Sequence, residues 1–216
     1  MNMSKPFSNK KYIFDICDTL YDSNTTFDFC KWRNKKISWR FILWLSSTTI
    51  GKILNKLSIK LFNKEFSRFL HLKSLKNINR IELYKEANLF VSDFLADKKI
   101  CHIHKILIQA KQENKIIYLV SASIDPIVHA IAKNLGVKYI SSELNYSKNI
   151  CQGFLHKDLL GNKHLIIIND ISLVVTDNIS DYSLCKMAEH SLIIVNSKNK
   201  SFWVNHKLPG MTFYEQ

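Results

Sequence analysis

The sequence predicts an α/β protein: a parallel sheet flanked by helices, with a block of helices inserted after the first strand. Three observations carry this. An apolar run, Tyr12-Ile13-Phe14, ends in a cluster of acids at Asp15 and Asp18. Residues 24–95 hold no proline and one glycine, with apolar residues at helical spacing. From about residue 100, apolar runs alternate with helical patterns, which yields a parallel, Rossmann-like sheet with helices on its faces. The expected division is therefore a core of residues 1–23 and 96–216, with residues 24–95 as a helical insertion.

Taken in order, residues 11–16 read as a short buried strand. In the helical block, Ile50, Ile53, Leu54, Leu57 and Leu61 follow the i, i+3, i+4, i+7 stripe, and Lys52, Lys56 and Lys60 lie off it. Such a stripe most often packs on its own protein. A basic amphipathic helix with Trp39 and Trp44 can also lie on a membrane surface. The uncharged stretch between Arg40 and Lys52 is eleven residues long. Spanning a bilayer takes about 20.

Further on, residues 104–115 read as a helix and 116–123 as an apolar strand ending in small hydroxyl residues. Residues 125–136 begin a helix with Asp125 as N-cap and Pro126 in the first turn, and Gly136 ends it. Strands are expected at 137–144, 173–177 and 191–197, with a helix at 182–190.

Composition narrows the function classes. Hydrophobic residues make up 46%, which excludes a disordered chain. The five cysteines lack CxxC spacing and are odd in number, so reduced thiols in a cytoplasmic protein are expected. The N-terminal MNMSKPFSNKK lacks the apolar core of a signal peptide. Of the net charge of +13, residues 31–100 supply a surplus of +11, from 16 Lys/Arg against 5 Asp/Glu. A segment so basic is either a solvated face or an attractor of anionic partners. No nucleic-acid-binding motif accompanies it, so no nucleic-acid partner is expected.

Four polar signals stand at or after the apolar runs: Asp15/Asp18/Thr19, Ser121, Lys163 and Asp177/Asp181. Sites in open α/β sheets lie at the carboxyl ends of strands. The order and setting of the four are similar to the haloacid dehalogenase superfamily, in its phosphoserine-phosphatase-like branch. FDICDTL resembles the first motif, and LVSASIDPIVHAIAKNLGVKYISSEL the second with its following helix and strand. GFLHKDLLGNKH resembles the stretch with the third-motif lysine, and VVTDNISDYSL the fourth motif. The resemblance covers about residues 11–198, and the helical block stands where that branch carries its cap.

The resemblance implies a Mg²⁺-dependent phosphohydrolase. Asp15 would be the nucleophile that becomes an aspartyl-phosphate. Asp15, the backbone carbonyl of Cys17 and Asp177 would hold Mg²⁺, with Asp181 orienting a metal-bound water or supporting the metal from behind. Ser121, with Ala122 beside it, would meet the phosphate, and Lys163 would neutralise its charge. The substrate would be a small phosphomonoester: phosphoserine-like, a sugar phosphate or a lipid phosphate. The last would go with peripheral contact to an anionic membrane.

Cys17 departs from the pattern. It stands where the family's phosphatases carry the aspartate that protonates the leaving oxygen. A thiol of pKa about 8.5 is a poor general base at neutral pH. A catalytically impaired binding protein is therefore the alternative expectation. Asp18, in the next slot, reads either as a substitute carboxylate or as a turn acid; alternating side-chain direction favours the turn acid.

Overall fold

A computed structural model describes residues 10–62, 65–166 and 169–215. The stretch on which the signal-peptide expectation rests lies mostly outside them. Seven strands form one sheet in the order β4-β3-β2-β1-β5-β6-β7. β1 (Lys11–Phe14) is central, with β2 (Ile116–Ile124) on one side and β5 (Ile171–Thr176) on the other, both parallel to it. β3 (Lys138–Ser147), β6 (His190–Val195) and β7 (Met211–Glu215) extend the parallel pairing outward. The chain leaves β1 toward β2 and β3, then returns to β5 on the opposite flank. This reversal makes β1 the point where open sheets leave a crevice. Phe14 pairs with Leu119 and with Val175, so the residues just past these positions on three strands share one edge.

Helices fill the gaps between strands. α6 (Cys101–Gln112) precedes β2, and α7 (Asp125–Leu135) links β2 to β3. Gly136 closes α7 at φ +63, and its N–H reaches back to Ala132. The first residue of α7 is Asp125, but it does not cap the helix. Its carboxylate instead accepts from the Leu144 N–H and the Tyr84 hydroxyl, each at 2.8 Å.

Three further differences from the expected pattern have clear causes. An antiparallel strand, β4 (Ile150–Lys157), follows β3 through Lys148 and Asn149, whose φ values are +48 and +63. That is a two-residue hairpin turn without the usual glycine. The helix expected at 182–190 shrinks to α8 (Tyr182–Cys185), because Glu189 N–H already bonds Ile171 O at the sheet. The C-terminal α9 (Lys200–Asn205) and β7 are anchored by Trp203, which is fully buried.

Five helices lie between β1 and β2: α1 (Thr25–Arg33), α2 (Ile37–Ser47), α3 (Thr49–Phe62), α4 (Phe66–Lys73) and α5 (Arg80–Asp93). Asn24 caps α1 and Asn79 caps α5. Phe29, Leu83, Ala87 and Phe90 belong to the same buried cluster as Phe14 and Leu119, so the inner helices share the core of the sheet. The β3–β4 hairpin adds a backbone seam: Asn77 N–H to Cys151 O, Cys151 N–H to Ile78 O and Arg80 N–H to Asn149 O, all within 2.9 Å.

The outer helices behave otherwise. The stripe on α3, expected to pack on its own protein, is uncovered: Ile50, Ile53, Leu54, Leu57 and Leu61 are each 44–70% exposed. α2 and α3 meet each other and α4, and their remaining faces look outward. Among the described residues, no helix is long and apolar enough to cross a membrane.

Candidate active site

Asp15 follows β1 directly, and its N–H bonds Val175 O at 2.9 Å. One carboxylate oxygen accepts from Ile16 N–H at 2.7 Å; the other lies 2.7 Å from Lys163 Nζ. Lys163 opens a short 3₁₀ turn after β4 and is 2% exposed. It also lies 2.8 Å from Asp181 Oδ2, which accepts from the Thr176 hydroxyl at 2.7 Å. Burial alone would lower the ammonium's pKa, but the carboxylates of Asp15 and Asp181 outweigh it and hold Lys163 charged. Burial pushes the Asp181 carboxyl up, while Lys163 pulls it the other way. Asp181 Oδ1 is buried with no hydrogen-bond partner.

Asp177 follows β5. Its N–H donates to Thr19 Oγ1 at 3.1 Å, and its carboxylate accepts from the same hydroxyl at 3.3 Å. Burial, then the charges of Asp15 and Asp18, push its pKa up to about 7. Carboxylates this crowded, beside an unpartnered buried oxygen, call for a cation. Among the described residues, no group of three or more His, Cys, Asp or Glu stands ready-made around one point. Mg²⁺ does not require one, because it takes one or two carboxylates and fills the rest of its octahedron with water and substrate oxygens. The donor set fits such an ion.

Ser121 lies near the end of β2, 1% exposed, and its hydroxyl accepts from Ser123 N–H at 3.3 Å. Asp15, Cys17, Ser121, Ala122 and Lys163 together line a cavity of about 230 Å³. The sheet order thus brings these five sequence-selected residues to one cavity. Asp177 and Asp181 stand behind it, joined through Thr19 and Lys163.

Cys17 faces the cavity from a nest of hydroxyls. Its Sγ is 3.4 Å from Thr25 Oγ1 and 3.3 Å from Ser123 Oγ, which lie 2.6 Å from each other. Burial first, then the Asp15 charge, raises the thiol's pKa, so it stays protonated. Asp18 does not line the cavity. It sits exposed in a left-handed turn at φ +49, the place of a turn acid.

Several cavity residues carry no recognisable signal in the sequence. Arg68 of α4 reaches over it, donating to Ala122 O and Asp158 Oδ1 at 2.8 Å each, while its Nε is buried without a partner. Glu65, at the N-cap of α4, lines the same wall, as do Asn24 and Phe27. They come from a segment whose distance to the sheet has no periodicity to betray it. Ser123 was within reach, since it stands two residues past Ser121 and side chains alternate along a strand.

The sequence model described as haloacid dehalogenase-like hydrolase matches residues 12–184. The chain belongs to this family. It is a hydrolase. No curated protein matches the chain. Among solved structures, it is similar to a protein of unknown function from Bordetella pertussis Tohama I, at 12% identity and TM-score 0.70, covering 94% of this chain and 99% of the other. It is also similar to a phospho-aspartyl intermediate analogue of phosphoserine phosphatase, at 16% identity and TM-score 0.60, covering 97% and 94%. A third is cytosolic 5'-nucleotidase IIIB bound to cytidine, at 9% identity and TM-score 0.64, covering 97% and 81%. At these identities the likeness is one of fold.

Proposed function

We propose that the protein is a Mg²⁺-dependent phosphohydrolase acting on a phosphomonoester through an aspartyl-phosphate at Asp15. The observation that supports it best is the Lys163–Asp15 contact of 2.7 Å at the floor of a cavity that Ser121 also lines. In this reading residues 24–95 are the cap. Asp15, Asp177 and the Cys17 carbonyl would hold Mg²⁺, with Asp181 behind them. Bound there, the ion would let an anionic carboxylate approach an anionic phosphate.

Asp15 attacks phosphorus, the bond to the leaving oxygen breaks, and that oxygen takes a proton from water, because the Cys17 thiol keeps its own. Lys163 balances the charge on the transferring group, and the Ser121 hydroxyl and the N–H groups around it donate to its oxygens. Water then attacks the acyl phosphate, releasing inorganic phosphate and restoring Asp15. Arg68, its charge met by Asp158, would form part of the wall that bounds the rest of the substrate. The substrate class is a small phosphorylated compound: phosphoserine-like, a sugar phosphate or a lipid phosphate. The solved relatives named for phosphoserine and for a nucleotidase support phosphomonoesters in general. All five cysteines are free, which supports a reducing compartment such as the cytoplasm. The outer cap face supports peripheral contact with an anionic membrane.

Steady-state turnover of aryl and natural phosphomonoesters with Mg²⁺ tests this reading, together with binding of a metal fluoride that mimics phosphate. Absence of both would overturn it. The protonated thiol at Cys17 favours a second reading, a binding protein with impaired hydrolysis. Cys17→Asp decides between them. A slow enzyme lacking its acid gains about 10-fold or more, inside the range such groups supply; a binding protein gains nothing.

A further inference from the structure

The exposed stripe on α3 continues onto α2. Ile37, Phe41, Trp44 and Leu45 follow i, i+4, i+7 and i+8, with Phe41 and Trp44 59% and 61% exposed. Helices α2 and α3, which pack on each other, therefore present exposed faces that are largely apolar. A contiguous patch beyond a few hundred Å² marks an interaction site on a protein that is otherwise soluble.

The charge around this face is of one sign. Between Asp28 and Glu65 the sequence has nine Lys or Arg and no Asp or Glu. Lys56 and Lys60 stand exposed beside the α3 stripe, and Arg40 beside that of α2. A second copy of the chain would set these cations against each other, so self-association through this face is disfavoured. An anionic bilayer suits both properties at once. The apolar residues enter the boundary between headgroups and acyl chains, Trp44 sits at the interface, and the lysines remain at the lipid phosphates.

A cleft on the inner side of these helices, away from the stripe, adjoins the candidate site. It has a volume of about 650 Å³ and is lined by Ser46, Lys52 and Asn55 of the hairpin and by Asn24, Phe27 and Glu65. Those last three also line the Asp15 cavity. Lys31 and Lys198 add two more cations along the way.

We propose that the α2–α3 hairpin docks on an anionic bilayer and that the substrate is a phosphomonoester carried by a lipid, reaching Asp15 along this cleft. The substrate half rests on the phosphohydrolase reading; the docking half stands without it.

The test uses the full chain and two kinds of vesicle, phosphatidylcholine alone and phosphatidylcholine with phosphatidylglycerol. The protein sediments with the anionic vesicles and not the neutral ones, and salt releases it. Phe41→Glu with Trp44→Glu abolishes sedimentation. Lys56→Gln with Lys60→Gln weakens it roughly 25-fold, at about fivefold per lysine. Circular dichroism establishes that both variants fold, and p-nitrophenyl phosphate turnover stays at the parent level in both. In anionic vesicles, phosphatidate is hydrolysed with a higher kcat/KM than soluble phosphoserine.

No sedimentation of the parent chain with anionic vesicles overturns docking. So does a dimer in vesicle-free solution that Phe41→Glu with Trp44→Glu dissolves, since the face then belongs to a second copy. Turnover of p-nitrophenyl phosphate without turnover of phosphatidate overturns the substrate half alone. Vesicle binding without turnover of any phosphomonoester overturns the phosphohydrolase reading and leaves docking in place.

Discussion

Lys163 and Trp44 stand at opposite extremes of one chain. Lys163 is a cation 2% exposed, held by two carboxylates; Trp44 is an indole 61% exposed on a helix that contains no acid. Around Lys163 the protein satisfies its own electrostatics, because a buried charge without a partner costs several kcal/mol. Around Trp44 it leaves apolar surface in water, which costs about 25 cal/mol for each Å². Internal partners make the first region rigid and specific. The second gains only when something outside the chain covers it.

The contrast can be broken at its strongest point first. Asp15→Asn removes the reacting oxygen anion while keeping the shape, and turnover of phosphomonoesters falls roughly 10⁴–10⁶-fold, the scale of losing a covalent nucleophile. Retained turnover would move the chemistry elsewhere. Next comes one substitution made in both regions. Lys163→Met strands two buried carboxylates and lowers unfolding free energy in urea by about 3–5 kcal/mol. Lys56→Met, on the exposed hairpin, changes it by less than about 0.5 kcal/mol.

His71 sharpens the boundary between the regions, since it is buried in α4 against Phe27, with ring centroids 4.0 Å apart. Burial lowers its pKa to about 4 in the folded protein, against about 6.5 in the unfolded chain. The folded state therefore refuses a proton that the unfolded state accepts. Its contribution is whole above pH about 6.5 and is lost as pH falls toward about 4. Unfolding free energies from urea titrations at neutral pH and near pH 4.5 should differ by about 2–3 kcal/mol more in the parent than in His71→Phe. Equal pH dependence in the two proteins would remove His71 from the account. A last pair of substitutions sets the shared core directly against the open stripe. Leu83→Ala, in the shared core, costs about 2–5 kcal/mol, and Leu57→Ala, on the open stripe, stays within about 0.5 kcal/mol.

Much of this was legible in the sequence where local chemistry and sheet geometry agree. The apolar runs at β1, β2 and β5 fixed the parallel strands, and the polar residues just past them met at one edge because β1 is central. Pro126 and Gly136 frame α7 as their residue types imply, while Asp125 departs from a cap because its carboxylate serves Leu144 and Tyr84 rather than its own helix. β4 escaped notice, since Lys148-Asn149 carries none of the glycine that marks a tight hairpin. Arg68 and Glu65 reach the cavity only through tertiary packing of α4. The stripe on α3 was visible as a pattern, but a pattern is the same whether its partner is the protein's own core or something outside it.

The seam between residues 77–80 and 149–151 bears on how the cavity is entered. A rigid swing of the whole insertion would break its three backbone hydrogen bonds together and expose Leu83 and Phe90 of the shared core. The root of the insertion therefore serves as a fixed post. Phe27, Glu65 and Arg68, which wall the Asp15 cavity from the insertion, stand on that post, so the distance between this wall and Asp15 is set by the sheet and not by the outer helices.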